Sequence, residues 1–419
     1  MHVQQHSIHR RPHTIIKTNK QASIFKRFGI ISLCLLILAI TAGTLLPGNP
    51  LLRAMAAEAT PSQPTGLSGI AGNQRVTLTW NPATNATAYT VERTDLASGQ
   101  VQQLPDMITG TSATITALAI GHWYRFSIIP FNETIQGTPS SPVEVRTTGF
   151  QGSYSNYYVL GDSYSSGEGA PPYSGVAACF RSINSYSYQL GLGVPTPVTL
   201  ACSGAIIDDI DKVVQVPVLG TTQLQQLQKS PQGNSLITLT IGGNDVRFAQ
   251  ELEKCIFSTR SCMSRQAVIA QEITALEPRL LQVYQEIRRA APGADIIALG
   301  YPLLAAAPEI AYCHNPLIAL GLSKSEMTMI RQLTGQLNAT IAQAATQAGI
   351  LSATTQVEQA FAGHEVCTKI KSDEWINEIT GLTNMVHGSF HPEIPGYLAD
   401  ALATNAVRTN LYQNGMVRT

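Results

Sequence analysis

Gly161-Asp162-Ser163, Ser203-Gly204, Gly242-Gly243-Asn244 and Ser389-Phe390-His391 follow one another along the chain in that order. A hydroxyl, an imidazole, glycine backbone amides and an asparagine side-chain amide are the parts that acyl transfer by serine requires: a nucleophile, a base, and donors for an oxyanion. A serine hydroxyl is almost fully protonated at neutral pH, so Ser163 needs His391 within hydrogen-bond reach. Those two residues lie far apart in sequence, so a fold must bring them together.

The elements that would do this are visible as apolar runs. Tyr157–Leu160, Pro197–Leu200, Leu236–Ile241 and Ile296–Leu299 are near-continuously apolar, as strands of a parallel sheet covered on both faces are. Leu276, Leu280, Val283, Tyr284 and Ile287 recur at helical spacing before Pro292-Gly293, and Ile330, Leu333, Leu337 and Ile341 form a second stripe. Residues 154–419 therefore read as one α/β domain. Ligands of open α/β sheets gather at the carboxyl ends of the strands. Ser163, Gly204 and Asn244 each follow a strand there, and His391 reaches the same edge from the C-terminal segment.

Charged residues make up only 13% of the 419, and the zero net charge conceals an asymmetry. Residues 1–57 hold seven basic residues and no acids, leaving a body with 20 basic against 27 acidic residues. A body of net −7 argues against nucleic acid as a partner. In the basic head, six cations precede the apolar run Ile30–Leu46, which ends at Pro47 and is followed by Ala54-Met55-Ala56, a small-residue cleavage pattern. This reads as a secretory signal, with an uncleaved membrane anchor as the alternative. Either way the charge bias places everything after residue 57 outside the cell. Cys34 lies within the apolar run. Cys179, Cys202, Cys255, Cys262, Cys313 and Cys367 lie in the exported part, where disulfides are the default. Six cysteines allow fifteen pairings. Nearest-neighbour pairing, 179–202, 255–262 and 313–367, closes local loops and is the expectation. No Cys-x-x-Cys pair points to a metal site.

Residues 58–66 are small, polar and proline-rich, a linker. Between 61 and 147, Val76–Trp80, Tyr89–Arg93, Ala113–Thr116 and Tyr124–Ile128 alternate apolar with polar residues, the pattern of an antiparallel sandwich. This stretch resembles a fibronectin type III domain: Trp80 falls at the core tryptophan, and Leu118 with Tyr124 matches the tyrosine corner. Both aromatics are expected in the core. Such modules act as spacers or adhesive units, so contact with an extracellular polymer or cell wall is the partner it implies.

Residues 154–419 resemble the SGNH (GDSL-type) hydrolases, through Val159-Leu-Gly-Asp-Ser-Tyr-Ser-Ser-Gly-Glu-Gly169, Gly204, Gly242-Gly-Asn-Asp245 and Ser389-Phe-His-Pro392. The long first block and the cysteines are most similar to the secreted esterase and lipase branch of actinobacteria and their relatives. The resemblance implies a three-layer α/β sandwich on a central parallel sheet, with Ser163 as nucleophile and His391 as base. The Ser163 and Gly204 amides and the Asn244 side chain would form the oxyanion hole. The substrate would be a lipid or small acyl ester, no cofactor is implied, and no metal is assigned. Family members commonly carry an aspartate three residues before the histidine; here that place is Gly388. The Ser389 carbonyl is expected to orient His391 instead, with Glu393 as rival. Asp162 is expected to fix the turn after the strand, Asp245 to cap a helix beside Asn244, and Glu168 to be solvated. His387 and His391 are four apart, but Pro392 breaks any helix that would make them a zinc pair. His314 and His364 are read as structural. Polysaccharide deacetylation on the same fold and a purely adhesive surface protein are the alternatives. Acyl chain length, oligomeric state and the fate of the N-terminus are left open.

Overall fold

The computed structural model describes residues 59–133, 135–150, 152–230, 233–257, 261–379 and 387–419; the expected signal or anchor lies outside them. Among the described residues no helix is long and apolar enough to cross a membrane.

Residues 68–146 form a sandwich of two antiparallel sheets. β1 (Ser68–Gly72), β2 (Arg75–Thr79) and β5 (Ser112–Ile115) make one sheet. β3 (Ala88–Asp95), β4 (Val101–Gln103), β6 (Trp123–Asn132) and β8 (Val143–Arg146) make the other, with the short β7 (Ile135–Gln136) paired to β6. Alternation in the sequence becomes alternation in burial: Val76 and Leu78 are buried while Thr79 is exposed. Trp80 and Tyr124 both sit in the core, and the Tyr124 hydroxyl accepts from the Ala119 amide at 2.9 Å, as a tyrosine corner requires. The arrangement is the fibronectin type III sandwich.

The sheet of the α/β part is five-stranded and all parallel, in the order β12 (Val198–Thr199), β9 (Asn156–Gly161), β13 (Ser235–Thr240), β14 (Asp295–Ala298), β15 (Leu351–Ser352). All six residues of β13 are buried, so both faces of the sheet are covered, giving the three-layer sandwich. The covering helices are α1 (Ser163–Ser166), α2 (Ile207–Asp211), α3 (Gln223–Lys229), α4 (Phe248–Phe257), α5 (Gln266–Ala290), α6 (Pro316–Gly321), α7 (Lys324–Ala348), α8 (Thr354–Ala360) and α9 (Ile394–Asn414). The apolar stripe from Leu276 to Ile287 is the buried face of α5, which packs against α7. Ser323 and Glu326 cap α7 reciprocally, and Gly349 ends it at φ 67°. A small hairpin, β10 (Tyr173–Ser174) with β11 (Arg181–Ser182), follows α1.

Disulfides join Cys179 to Cys202, Cys255 to Cys262 and Cys313 to Cys367, the nearest-neighbour pairing. The two sandwiches are joined by a contact absent from the sequence reading. β16 (Met416–Arg418), at the end of the α/β part, pairs antiparallel with β8 and extends the fibronectin-type sheet.

Candidate active site

Gly161 ends β9 and Asp162 caps α1, whose first residue is Ser163. Gly161 sits at φ 112°, and a Cβ there would stand 2.2 Å from the Thr240 carbonyl oxygen, so this turn admits only glycine. Asp162 Oδ1 accepts from the Tyr164 amide at 3.0 Å and Oδ2 from the Tyr301 hydroxyl at 2.5 Å, the turn-fixing role expected of it. Burial pushes the Asp162 carboxyl up to about 7.

The histidine comes from a loop pinned by its neighbours. Asn377 donates its main-chain N–H and its side-chain amide to the His391 carbonyl, at 2.8 and 3.0 Å. The Tyr164 hydroxyl donates to the Phe390 carbonyl at 2.6 Å. Phe390 is held at φ 60°, a conformation a bulky residue keeps only where its surroundings enforce it. The ring of His391 then lies with Nε2 2.7 Å from Ser163 Oγ and Nδ1 2.9 Å from the Ser389 carbonyl. Nδ1 is therefore paired with Ser389 and not with Glu393, which stands at the N-cap of α9. Burial lowers the His391 pKa, while Glu168 and the Ser389 carbonyl act to raise it.

Asn244 follows β13, and its Nδ2 donates to the Ala205 carbonyl at 3.0 Å; a side-chain amide has a second hydrogen for another acceptor. Gly204 sits at φ 78°, a left-handed position, with the amides on either side of it engaged by the Cys179 and Cys202 carbonyls. The Cys179–Cys202 disulfide and Arg181, which donates to the Leu200 and Ala201 carbonyls, hold that segment. A cavity opens between these elements. Ser163, Asn244 and His391 line it together with Phe248, Leu252, Leu304 and Leu337; Gly204 stands outside its wall.

Two sequence expectations, on Glu168 and Asp245, need correction or refinement. Glu168 is not solvated: its side chain is 3% exposed, because Ser203 Oγ and the Gly388 amide donate to it. Asp245 caps no helix of its own; it accepts from the Ile207 amide at the start of α2 and pairs with Arg279 at 2.8 Å. His387 is exposed and stacks on Phe180, away from any pairing with His391. His314 bonds the Thr368 carbonyl and His364 stacks on Trp375, both structural as expected. Tyr164, Tyr301 and Asn377 were missed, since their type and spacing carry no signal until the loops are in place.

A parallel α/β sheet with a serine–histidine pair beside an apolar cavity at its carboxyl edge has the architecture of a serine-dependent hydrolase. Residues 159–399 match the GDSL-like Lipase/Acylhydrolase family, and the chain belongs to that family. It is 32% identical over 246 residues to Lipase 1 of Streptomyces coelicolor, covering 57% of this chain and 81% of that one. It is 33% identical over 250 residues to a lipase of Streptomyces rimosus, covering 58% and 84%. The crystal structure of an extracellular lipase from Streptomyces rimosus superposes with a TM-score of 0.50 at 30% identity, over 60% of this chain and 99% of that one. The protein is a carboxylic ester hydrolase of the lipase and esterase type.

Proposed function

We propose that this protein is an exported serine esterase or lipase that cleaves acyl esters through an acyl-enzyme on Ser163. In the first half-reaction Ser163 Oγ bonds to the ester carbonyl carbon while its proton passes to His391 Nε2. The carbonyl electron pair moves onto oxygen, where the Ser163 and Gly204 amides and the Asn244 side chain would meet it. Collapse expels the alcohol, which takes the proton from Nε2. Water then repeats the sequence on the acyl-enzyme and releases the acid. The observation that supports this reading is the 2.7 Å approach of Nε2 to Oγ, with Nδ1 tied to a carbonyl so that Nε2 is free to accept. Ser163→Ala and His391→Ala should each remove nearly all turnover of a p-nitrophenyl acyl ester. A fluorophosphonate should label Ser163, located by mass spectrometry of the digested protein. Activity retained by the Ser163 variant would end the proposal.

The apolar wall of Phe248, Leu252, Leu304 and Leu337 favours an aliphatic acyl chain over the acetyl group of a modified polysaccharide. Profiling from acetyl to palmitoyl esters, beside an acetylated sugar, decides this: a sharp optimum at acetyl would favour the deacetylase alternative. Three disulfides in the described part support an oxidising, extracellular location. Sequencing the N-terminus of the protein recovered from medium and from membranes separates a cleaved signal from an anchor. The fibronectin-type sandwich is proposed to touch extracellular polymer or cell wall, which co-sedimentation of the full chain with insoluble envelope material tests.

A further inference from the structure

A carboxylate removed from water must find compensation, and Glu168 is buried beside the His391 ring. Its Oε1 accepts from the Gly388 amide at 2.8 Å and faces His387 Nδ1 at 3.3 Å. Its Oε2 accepts from the Ser203 hydroxyl and lies 3.9 Å from His391 Nε2. One side chain thus touches the nucleophile segment that carries it, the segment entering Gly204, and the histidine loop. At 3.9 Å the approach to Nε2 is too long for a hydrogen bond, so the coupling is Coulombic and Nε2 keeps Ser163 as its partner.

We propose that Glu168 is the counter-charge for the His391 imidazolium, supplying from the Nε2 side the negative charge that Gly388 cannot supply from the Nδ1 side. The proposal rests on the Ser163–His391 reading. When the Oγ proton reaches Nε2 the ring becomes a cation beside a carboxylate that is already ionised. When the proton leaves with the alcohol, the attraction is gone. Glu168 touches no substrate and acts through His391, so it is a positioning residue. Among the described residues the charged and titratable groups around it are few. His387 faces it from the same loop as His391. Tyr164 of α1 lies tilted against the His391 ring, with centroids 4.9 Å apart, and Tyr397 of α9 donates to the Glu168 main-chain carbonyl. The directions of titration agree with the geometry. Burial alone would raise the Glu168 carboxyl, but His391, Ser203, the Gly388 amide and His387 bring it below its ordinary value. Burial holds His391 down, and Glu168 is the charge that pulls it back up.

The test is the pH profile of kcat/KM for a p-nitrophenyl butyrate substrate in wild type, Glu168→Gln and Ser203→Ala, with circular dichroism to confirm folding. Glu168→Gln keeps an acceptor for its neighbours and loses the charge. Its kcat should fall about 10-fold or more with KM nearly unchanged, and its acid limb should move to lower pH by about one unit. Ser203→Ala leaves the charge less satisfied, so its acid limb should move the opposite way, to higher pH. A loss of rate with both limbs unmoved would make Glu168 merely structural and overturn the proposal, as would wild-type kinetics in Glu168→Gln. If Glu168→Gln does not fold, the direction of the Ser203→Ala limb decides alone. Ester turnover that survives Ser163→Ala would instead sink the active-site reading, independently of either limb.

Discussion

In the proposed reaction His391 sets the acid side of the pH profile, because a general base works only when neutral. Burial is the largest influence on its pKa and lowers it, more than Glu168 and the Ser389 carbonyl raise it. A lowered pKa keeps the ring neutral into more acidic solution. The acid limb of kcat/KM is therefore expected below the ordinary histidine value of about 6.5; a limb above it would mean that the ring is not the buried group described. Asn244→Ala should cost on the order of 10²–10³ in kcat, since one preorganised oxyanion donor contributes that much, and a smaller loss would assign the oxyanion to backbone amides alone. Ser163, Asn244 and His391 were legible in the sequence because chemistry restricts which residue types can fill those places, and each stands beside an apolar strand or in a short recognisable block. Glu168 was not. Its partners are 35 and 220 residues away, and a lone glutamate among glycines looks solvated until the Ser203–Gly204 segment and the histidine loop close over it.

Elements were legible to the extent that burial writes a periodic signal. β9 and β13 are six residues each and buried almost throughout, so they read directly as apolar runs. β12, two residues long, was read through the apolar run Pro197–Leu200 around it, whereas β15, also two residues, carries no pattern and enters the sheet only because β14 offers it an edge. The helical stripe from Leu276 to Ile287 marked only the C-terminal half of α5, whose 25 residues begin at Gln266 and bury Ile269 and Ile273 on the same face, with Pro278 accommodated inside the stripe. The turn from β9 into α1 is the element on which the nucleophile depends, and it has the tightest steric demand. Gly161→Ala would force a Cβ to 2.2 Å from the Thr240 carbonyl in a left-handed conformation. Either β9 and β13 separate or the turn changes shape, so this single methyl should abolish activity and lower stability by about 3 kcal/mol or more. Thermal denaturation with fluorophosphonate labelling checks both halves; a stable, labelled variant would contradict the geometry.

At the scale of the molecule, the junction and the active site occupy opposite ends of the parallel sheet. Asp295 opens β14 at its amino end, where it accepts from Trp123 Nε1 at 3.0 Å, Arg146 at 2.8 and 3.0 Å, and the Tyr154 hydroxyl at 2.8 Å. Arg418 of β16 lies 3.8 Å over the Trp123 ring and donates to Glu144 at 2.6 Å. No sequence pattern announced this, because a three-residue strand and single buried charges carry no period; only the return of the C-terminus to β8 assembles them. A buried Arg146 left without its carboxylate is costly, so Asp295→Ala should destabilise by about 3–5 kcal/mol. Residues 58–419 should also unfold in a single transition, since the fibronectin-type sheet borrows a strand from its neighbour. Glu144 adds a pH dependence of definite sign. Burial would raise its carboxyl, but Arg418 and Arg125 bring it below the ordinary value. Its contribution is therefore present above the unfolded carboxylate range and is lost as pH falls through the lower folded value. Removing residues 416–419 deletes β16 together with Arg418, one of the partners of Glu144, and leaves Arg125 in place. The truncated chain should lose several degrees of Tm near neutral pH, and the loss should shrink on acidification as Glu144 is neutralised in the full chain too. Because Ser163 and His391 stand at the carboxyl ends of the strands, kcat measured well below the new Tm should stay at the full-length value. A fall in kcat without a fall in Tm would mean that the junction reaches the active site by a route other than stability.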